Sequence, residues 1–387
     1  MSAGTRTDRD SAAQWLARLC ATPPATPPTL PGEALVLYGA GKLGHLAAEL
    51  FNTLGRALAF CIDRQPPPSG CLKTGLPVRH PDEVPMDERA RRPVAVCVVT
   101  SPYEPIRDAL AKAGWTHIVP VYDLLQAGGP DGVMNNGWFS GVLTPEDQHG
   151  IARVLDGWHD DFSRAAHLQS LAWRVQRAEW SFGHAPVTID DRYFIPDILD
   201  ALQPGETLID GGAWHGEFLD NWLQRGVPSF TRATAIEPDP QNHRALSAWR
   251  DALAPDDRER IRLVACALSD TDGQAAFCAG AGMASRLKST GSQQVGTCRI
   301  DSLALSPTFI KLHLEGHELP ALKGAVDTLH RCRPVLALTT YHNRDGLWRT
   351  PAWLMDTLPD YRFFMRMHGW CGTGAVVYGI PAERMRR

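Results

Sequence analysis

Residues 207–218, TLIDGGAWHGEF, decide the fold of this chain. The apolar run ends in an acid, Asp210, and a turn that contains Gly212 and Gly216 follows directly. Glycine adopts the backbone conformations of tight turns at little steric cost, so the stretch predicts a strand, a turn and the start of a helix. Strand, turn and helix in this order form the repeating unit of an open parallel α/β sheet.

The same alternation of strands and helices continues towards the C-terminus. The predicted strands of this half of the chain are TLIDGGA, RATAIEP, IRLVACALS, FIKLHLEG, PVLALTTYH, YRFFMRM and GAVVYGIP. The last two predict an antiparallel pair at the end of the sheet. We therefore predict one α/β domain at residues 185–387.

A second Gly-rich turn lies near the N-terminus, in YGAGKLG. Its three glycines follow an apolar strand and open a helix, and an acid ends the next predicted strand. In dinucleotide-binding domains such glycines let the backbone approach a pyrophosphate, and the acid binds ribose hydroxyls. We predict a Rossmann-like domain at residues 33–127, whose other predicted strands are ALAFCID, PVAVCVVT and HIVPVYDLL. The residues of its candidate second nucleotide site are Gly39, Gly41, Lys42, Gly44 and Asp63. The alternative is a domain that keeps the glycines for its turn and binds no nucleotide.

Two further segments complete the predicted organisation. Residues 1–32 predict a short helix around Ala12–Leu19 and a Pro-rich, extended linker. Residues 128–184 predict a Gly/Asn-rich link and bridging helices, with Thr144 as N-cap and Pro145 at the first helical position. The fold class that follows is α/β, with two tandem doubly wound, Rossmann-like domains.

Composition limits the partners and the compartment. The chain has 387 residues, a formal net charge of −4 and no basic tract, which argues against nucleic acid or an anionic membrane as a partner. The N-terminus shows no signal-peptide pattern. The nine cysteines are odd in number and form no CxxC pair, which argues against a disulfide framework or a structural zinc site. We expect a cytoplasmic protein, and a homo-oligomer is compatible with the sequence.

The C-terminal motifs resemble those of one known family. In order along the chain, ETLIDGGAWHGEF, AIEPDPQNHRAL, ALSDTDG, RIDSL and FIKLHLEGHELPALKGA are similar to the motifs of FkbM-type methyltransferases. The family's signature reads approximately IKIDVEGxExxxLKGA, and the matching residues are Ile310, Lys311, Glu315, Gly316, Glu318, Leu322, Lys323, Gly324 and Ala325. The resemblance covers roughly residues 190–380, and a Rossmann-like lobe ahead of the methyltransferase is also seen among such proteins.

This resemblance implies a class I methyltransferase fold with a terminal antiparallel strand and S-adenosylmethionine as cofactor. The turn after Asp210 would wrap the amino-acid end of the cofactor, where a carboxylate beside the loop suits the ammonium and sulfonium charges. Glu237 ends the next predicted strand and would accept hydrogen bonds from the ribose diol. The predicted cofactor-binding residues are Asp210, Gly212, Gly216, Glu237, Pro238, Ala267 and Leu268.

One departure from the family pattern affects the chemistry, because His313 stands where the family usually has Asp. Side chains alternate along a strand, so Lys311, His313 and Glu315 are predicted on one face of FIKLHLEG, at the end that lines the ligand crevice. The next predicted strand ends in Tyr341 and His342 at the same edge. The predicted catalytic residues are His313, Glu315, His342 and Tyr341.

An alcohol acceptor must lose its proton, and an imidazole has a pKa suited to that task. We expect His342 or His313 to act as the base and Glu315 to orient it; the alternative for Glu315 is a buried ion pair with Lys311. We predict no metal, since no His-x-x-x-His helix pattern joins the histidines. Arg286 is a candidate contact for an anionic acceptor.

The function that follows is S-adenosylmethionine-dependent methylation, with a sugar or small specialised metabolite hydroxyl as acceptor. Two alternatives remain open at this stage. The first is a nicotinamide-dependent oxidoreductase that uses the N-terminal Gly-rich lobe, although no YxxxK pair of the short-chain type is found. The second is a non-enzymatic nucleotide-sensing protein.

Overall fold

Three β-sheets build the protein in the computed structural model, which describes residues 7–26, 28, 32–127, 140–280, 285–289 and 291–385. Most of the predicted Gly/Asn-rich link lies outside the described residues. The sheets have five, four and seven strands, and the five-stranded and seven-stranded sheets carry most of the parallel pairing. The predicted α/β fold class is confirmed.

The first lobe is an all-parallel sheet with strand order β3-β2-β1-β4-β5. It is preceded by helix α1 (Arg9–Ala21), and its elements are β1 (Leu35–Tyr38), α2 (Lys42–Thr53), β2 (Leu58–Ile62), β3 (Val78–Arg79), α3 (Met86–Arg91), β4 (Val94–Val96), α4 (Tyr103–Lys112), β5 (Ile118–Pro120) and α5 (Val121–Ala127). The predicted last strand, HIVPVYDLL, is wrong beyond Pro120, because the chain turns into α5 there.

Two bridging helices, α6 (Pro145–Gly157) and α7 (Asp161–Gln176), follow the first lobe. Helix α6 begins as predicted: the Thr144 hydroxyl accepts the Asp147 backbone N–H, and the Asp147 carboxylate accepts the Thr144 N–H. Helix α1 packs against both bridging helices and buries Leu16 and Leu19 in their shared core. The predicted domain boundaries stay a prediction, but this packing joins the N-terminal helix to the second half of the chain.

The second lobe is built on a seven-stranded sheet of order β15-β16-β14-β13-β6-β7-β8. Its elements are α8 (Pro196–Ala201), β6 (Glu206–Gly211), α9 (Glu217–Gln224), β7 (Phe230–Ile236), α10 (Pro240–Asp251), α11 (Pro255–Arg260), β8 (Ile261–Val264), β9 (Ala267–Leu268), β10 (Gly273–Cys278), β11 (Arg286–Leu287), β12 (Gln293–Cys298), β13 (Phe309–Leu312), α12 (Glu318–Lys323), α13 (Val326–Cys332), β14 (Val335–Thr339), α14 (Arg349–Thr357), β15 (Tyr361–Met367) and β16 (Ala375–Pro381). Strands β15 and β16 form the predicted antiparallel pair at the end of the sheet.

The sequence did not predict the small sheet β11-β10-β12-β9. The predicted strand IRLVACALS divides between two sheets, with β8 in the large sheet and β9 in the small one. Pairing of β9 with β12 brings Cys266 and Cys298 together, and they form a disulfide that the cysteine pattern argued against. The short, polar, half-exposed strands of this sheet carry too little apolar alternation to be recognised by pattern.

Among the helices that the described residues form, none combines the length and the apolar character that crossing a membrane requires.

Candidate active site

A cavity of about 710 Å³ lies where the carboxyl ends of the parallel strands of the five-stranded and seven-stranded sheets meet. Its wall combines the ends of β1, β2 and β4 of the first lobe with the ends of β6, β7, β13 and β14 of the second. Loops after strand ends of open α/β sheets are the usual position of a ligand crevice. Here two such edges face one another across a single space.

The Gly-rich turn after β6 forms one side of this cavity. Gly212 lines it with a backbone φ of +69°, and a Cβ at this position would lie 2.0 Å from the carbonyl oxygen of His313. Gly216 begins α9 with φ +88°, and a Cβ there would lie 2.4 Å from the Trp249 ring. Gly212 therefore keeps the turn close to β13 and open to a ligand, whereas Gly216 is needed for packing behind it.

Asp210 lies beneath this turn rather than in the cavity wall. Its side chain is fully buried, and its Oδ1 lies 2.7 Å from Nζ of Lys311 on the neighbouring strand β13. Lys311 also donates to the carbonyl of Gly212 at 2.8 Å and lines the cavity. This geometry corrects one expectation, because Lys311 pairs with Asp210 and not with Glu315. Cofactor binding by Asp210 stays a prediction, and its Oδ2 is buried with no hydrogen-bond partner among the described residues.

Glu237, at the end of β7, is the buried carboxylate of the cavity. Its Oε2 accepts the Trp214 backbone N–H at 2.9 Å, and its Oε1 accepts the Asp239 N–H at 3.0 Å. Burial raises the pKa of Glu237 to about 7. The Asn242 side chain is a third hydrogen-bond partner of Glu237, and the acceptor capacity that remains suits a hydroxyl donor. Pro238, Ala267 and Leu268 line the same side of the cavity, so the predicted cofactor residues lie together apart from Asp210 and Gly216.

The predicted catalytic residues converge after β13 and β14. Strand β13 ends at Leu312, so His313 and Glu315 belong to the turn that follows and not to the strand itself. Glu315 has a positive φ of +52°. Its Oε1 lies 3.2 Å from Nε2 of His313 and 3.2 Å from Nε2 of His342. We call His313, Glu315 and His342 the His–Glu–His cluster.

Burial and mutual contact shift the pKa of each of the three groups of the cluster. Burial opposes charge on His342, but Glu315 beside it raises its pKa well above the ordinary value. Burial lowers the pKa of His313 to about 3, so that this imidazole is neutral. Burial opposes charge on Glu315 too, yet the two imidazoles hold its pKa far below the ordinary value. Of the two histidines predicted as bases, His313 is the one whose ring is neutral.

Further side chains fix the cluster from behind. Glu318 accepts the backbone N–H groups of Leu314 and Gly316, at 2.9 and 3.1 Å, and lies 3.8 Å from Nδ1 of His342. The Tyr193 hydroxyl lies 3.1 Å from Nδ1 of His313. Tyr341 lines the cavity, and its hydroxyl lies 3.5 Å from Nε2 of His313.

Sequence reasoning missed Arg192 and Tyr193, which precede the second sheet. Arg192 lines the cavity and donates to the Tyr341 hydroxyl at 3.0 Å, and its Nε is buried with no hydrogen-bond partner among the described residues. A half-buried guanidinium in a cavity wall suits an anionic group of a ligand. No motif marks these residues, because they lie in a loop between helices and strands. Arg286, in β11, lines the cavity as well, and its predicted acceptor contact stays a prediction.

The Gly-rich turn of the first lobe faces the same cavity. Gly39, Gly41, Lys42 and Asp63 line it, whereas Gly44 packs its Cα against the carbonyl of Gly39. Asp63 accepts the backbone N–H groups of Ala40 and Gln65, at 2.7 and 2.8 Å, within its own lobe.

Lys42 reaches across the cavity to the second lobe. Its Nζ lies 3.2 Å from both carboxylate oxygens of Glu217 and 4.5 Å from the centre of the Trp214 ring. Trp214 is the residue whose N–H binds Glu237. The first lobe therefore covers the Gly-rich turn of the second lobe, and nucleotide binding at its own turn stays a prediction.

Comparison with known proteins agrees with this architecture. Residues 212–369 match the model of the methyltransferase FkbM domain. A crystal structure of methyltransferase FkbM from Methylobacillus flagellatus is similar with a TM-score of 0.63 and 19% identity, over 96% of this chain and 98% of that chain. At this identity the likeness shows a shared fold, and it extends over both lobes. No curated protein sequence matches the chain significantly.

Two other solved structures match about half of the chain. A precorrin-6y C5,15-methyltransferase from Geobacter metallireducens has a TM-score of 0.29 and 16% identity, over 47% of this chain and 82% of that chain. An O-methyltransferase from Bacillus cereus, in complex with S-adenosylhomocysteine, has a TM-score of 0.30 and 14% identity, over 48% of this chain and 78% of that chain. The family match leads to one assignment: residues 212–369, which lie in the lobe of the seven-stranded sheet, form a methyltransferase FkbM domain.

Proposed function

We propose that this methyltransferase uses S-adenosylmethionine to methylate a hydroxyl group of a sugar or small specialised metabolite. The observation that carries the proposal is one cavity with a buried carboxylate, Glu237, beside a glycine turn and with His313 and Glu315 of the His–Glu–His cluster in the same wall. A carboxylate at the second strand end suits a ribose diol, and a titratable cluster suits the proton of an alcohol.

The residues around Gly212 fit the cofactor. A Cβ at Gly212 would meet the His313 carbonyl, so that only glycine leaves this turn at its present distance from β13. Glu237 would hold the ribose through the acceptor capacity that its backbone partners and Asn242 leave open. The apolar side chains of Pro238, Ala267 and Leu268 would contact the adenine ring of the cofactor. When bound, S-adenosylmethionine supplies an electrophilic methyl group on a sulfonium.

The acceptor side of the cavity is polar. His313 and Glu315 line the bottom of this side, and Tyr341 and Arg192 complete its wall. These groups would hold the acceptor hydroxyl, take up or displace its proton and orient its oxygen towards the methyl group. Most of the rate enhancement in such a displacement comes from alignment of the two reactants, which a cavity closed by two lobes supports.

Replacing Glu237 with Gln is expected to weaken S-adenosylhomocysteine binding by roughly 10- to 100-fold, because hydrogen bonds to a charged group contribute about 1.5–3 kcal/mol. Burial places the pKa of Glu237 at about 7, so wild-type affinity is expected to fall about tenfold as the pH drops from 8 to 6. Affinity falls with decreasing pH because the ionised carboxylate accepts hydrogen bonds from the ribose hydroxyls better than the protonated acid does. Isothermal titration calorimetry at both pH values measures each effect.

The Gln variant supplies its own control, since its affinity should be almost independent of pH over the same range. Burial lowers the pKa of His215, which contacts Trp214 by ring stacking, and any contribution of this group would remain in the variant. Equal affinity of the wild type and the variant at pH 8 would remove Glu237 from the cofactor site.

The nicotinamide alternative is tested by the same protein. A thermal-shift panel with S-adenosylmethionine, S-adenosylhomocysteine, NAD(H), NADP(H) and nucleotide sugars should show stabilisation by the first two compounds. Stabilisation by a nicotinamide nucleotide without any by S-adenosylhomocysteine would reverse the proposal. The same panel is then extended to hydroxylated sugars and metabolites. A compound that also causes release of S-adenosylhomocysteine is identified as the acceptor.

A further inference from the structure

The His–Glu–His cluster has the composition and spacing of a metal site. One ligand atom from each of His313, Glu315 and His342 lies within 4.8 Å of the others. The carboxylate oxygen is 3.2 Å from each Nε2. Ligands at about 2.0–2.1 Å from a tetrahedral zinc ion are about 3.3 Å apart, so small shifts would let one ion replace the two hydrogen bonds.

The backbone holds these ligands in place before any ion binds. Glu315 has φ +52° and is followed by Gly316 at φ +99°, a conformation that costs energy for a residue with a side chain. The Asn343 side chain donates to the Gly316 carbonyl and thereby ties the turn after β13 to the loop after β14, which carries His342. Two strand ends are thus locked together around the cluster.

The second nitrogen of each imidazole faces a polar side chain. Nδ1 of His313 lies 3.1 Å from the Tyr193 hydroxyl. Nδ1 of His342 is buried with no hydrogen-bond partner among the described residues, and a carboxylate oxygen of buried Glu318 lies 3.8 Å from it, so a small shift would join the two. Glu318 is itself fixed by the Thr339 hydroxyl at 2.7 Å. Histidines that bind metals usually have such a carboxylate, carbonyl or hydroxyl behind them, because it fixes the ring and its tautomer.

We propose that His313, Glu315 and His342 bind one divalent transition-metal ion and leave at least one coordination position open towards the cavity. Two imidazoles and one carboxylate favour zinc, manganese, iron or cobalt over magnesium or calcium. Three protein ligands with an open position are typical of a catalytic rather than a structural site. The expectation that no metal binds came from the lack of a helical His pair, whereas these ligands come from two different strand ends.

The role of the ion rests on the proposed function. The acceptor hydroxyl would bind at the open position and lose its O–H proton to water, which leaves an alkoxide on the metal. A lone pair of that oxygen then forms the new bond to the methyl carbon, and the electron pair of the carbon–sulfur bond remains on sulfur as S-adenosylhomocysteine. The ion lowers the pKa of the bound hydroxyl in the way it does for bound water.

Metal binding is measured without turnover. Protein dialysed against a chelator is titrated with Zn²⁺, and separately with Mn²⁺, by calorimetry, and we expect one equivalent to bind with micromolar or tighter affinity. His313→Ala, His342→Ala and Glu315→Gln should each weaken binding by about 100-fold or more, because even groups behind metal ligands contribute 10- to 100-fold. Visible absorption of the Co²⁺ form should report two nitrogen ligands.

Two variants serve as controls. His317→Ala removes a nearby histidine whose Nε2 lies 3.2 Å from the Ser269 hydroxyl outside the cluster, and it should bind zinc like the wild type. His313→Asp exchanges a nitrogen ligand for an oxygen ligand and should retain Mn²⁺ binding while losing zinc affinity. Circular dichroism verifies that each variant is folded.

The outcomes separate this inference from the proposed function. No saturable metal binding, or binding that is unchanged in all three cluster variants, overturns the metal site, and the histidines then act as free imidazoles. S-Adenosylhomocysteine titrations of the same chelated protein test the cofactor site independently, since Glu237 and Gly212 are not among the metal ligands.

Discussion

Asp210→Ala is expected to lower the free energy of unfolding by about 3–5 kcal/mol, because it leaves a buried lysine without its counter-ion. The Lys311 side chain is 4% exposed and the Asp210 side chain 0%. Once the carboxylate is gone, the ammonium must stay charged in a poorly solvated environment or give up its proton. Urea unfolding followed by tryptophan fluorescence measures the loss as a lower midpoint at an unchanged slope.

A double variant distinguishes loss of the charge pair from loss of packing. Asp210→Asn combined with Lys311→Met removes both charges and should recover most of the stability, since replacing a buried pair is often nearly neutral. Asp251→Ala breaks an exposed pair with Arg250 and should change stability by no more than about 0.5 kcal/mol. If Asp210→Ala were as stable as the wild type, the buried pair would not hold the Gly-rich turn.

The parts of the fold that the sequence predicts are those with strong local signals. TLIDGG and PVLALTT are continuous apolar runs bounded by turns, and they became β6 and β14. The capping pair of Thr144 and Asp147 fixed the start of α6. By contrast, VYDLL is as apolar as a strand, but it forms helix α5 packed beside the sheet, because period and composition do not separate short apolar runs.

Among the candidate site residues, too, some could be predicted from the sequence and others could not. Strand-end residues such as Glu237 and His342 could be found, because the ends of parallel strands share one edge of a sheet. The partner of Lys311 could not, since it depends on which strands are neighbours: β13 pairs with β6 and so brings Lys311 beside Asp210. Arg192 lies in a loop, where no periodicity indicates which way a side chain faces.

In the first lobe the Gly-rich turn has the position expected of a dinucleotide-binding motif, but its charged residues contact protein groups. The turn around Gly39 and Gly41 has the expected position after β1 and before α2. Its lysine, however, pairs with Glu217 of the other lobe, and its acid binds the lobe's own backbone. This pair is exposed and contributes little stability by itself.

Removing one member of the His–Glu–His cluster is expected to have the largest effect on catalysis. Glu315→Gln, His313→Ala and His342→Ala should each lower kcat by about 10²-fold or more, since a positioned group that handles a proton contributes on the order of 10²–10⁴. Release of S-adenosylhomocysteine with the acceptor found in the panel measures kcat and KM. Affinity for S-adenosylhomocysteine should change little, because Glu237 lies at the end of a different strand.

The expected result is the same whether the cluster acts as free imidazoles or through a metal ion, because either mechanism needs Glu315 between the two rings at 3.2 Å. His330→Ala, on the exposed face of α13, is the matched control and should retain the wild-type rate. A loss confined to KM would mean that the cluster only binds the acceptor. Near-normal kcat in all three variants would show that the acceptor needs no help with its proton, and an amine would then replace the hydroxyl as the group that is methylated.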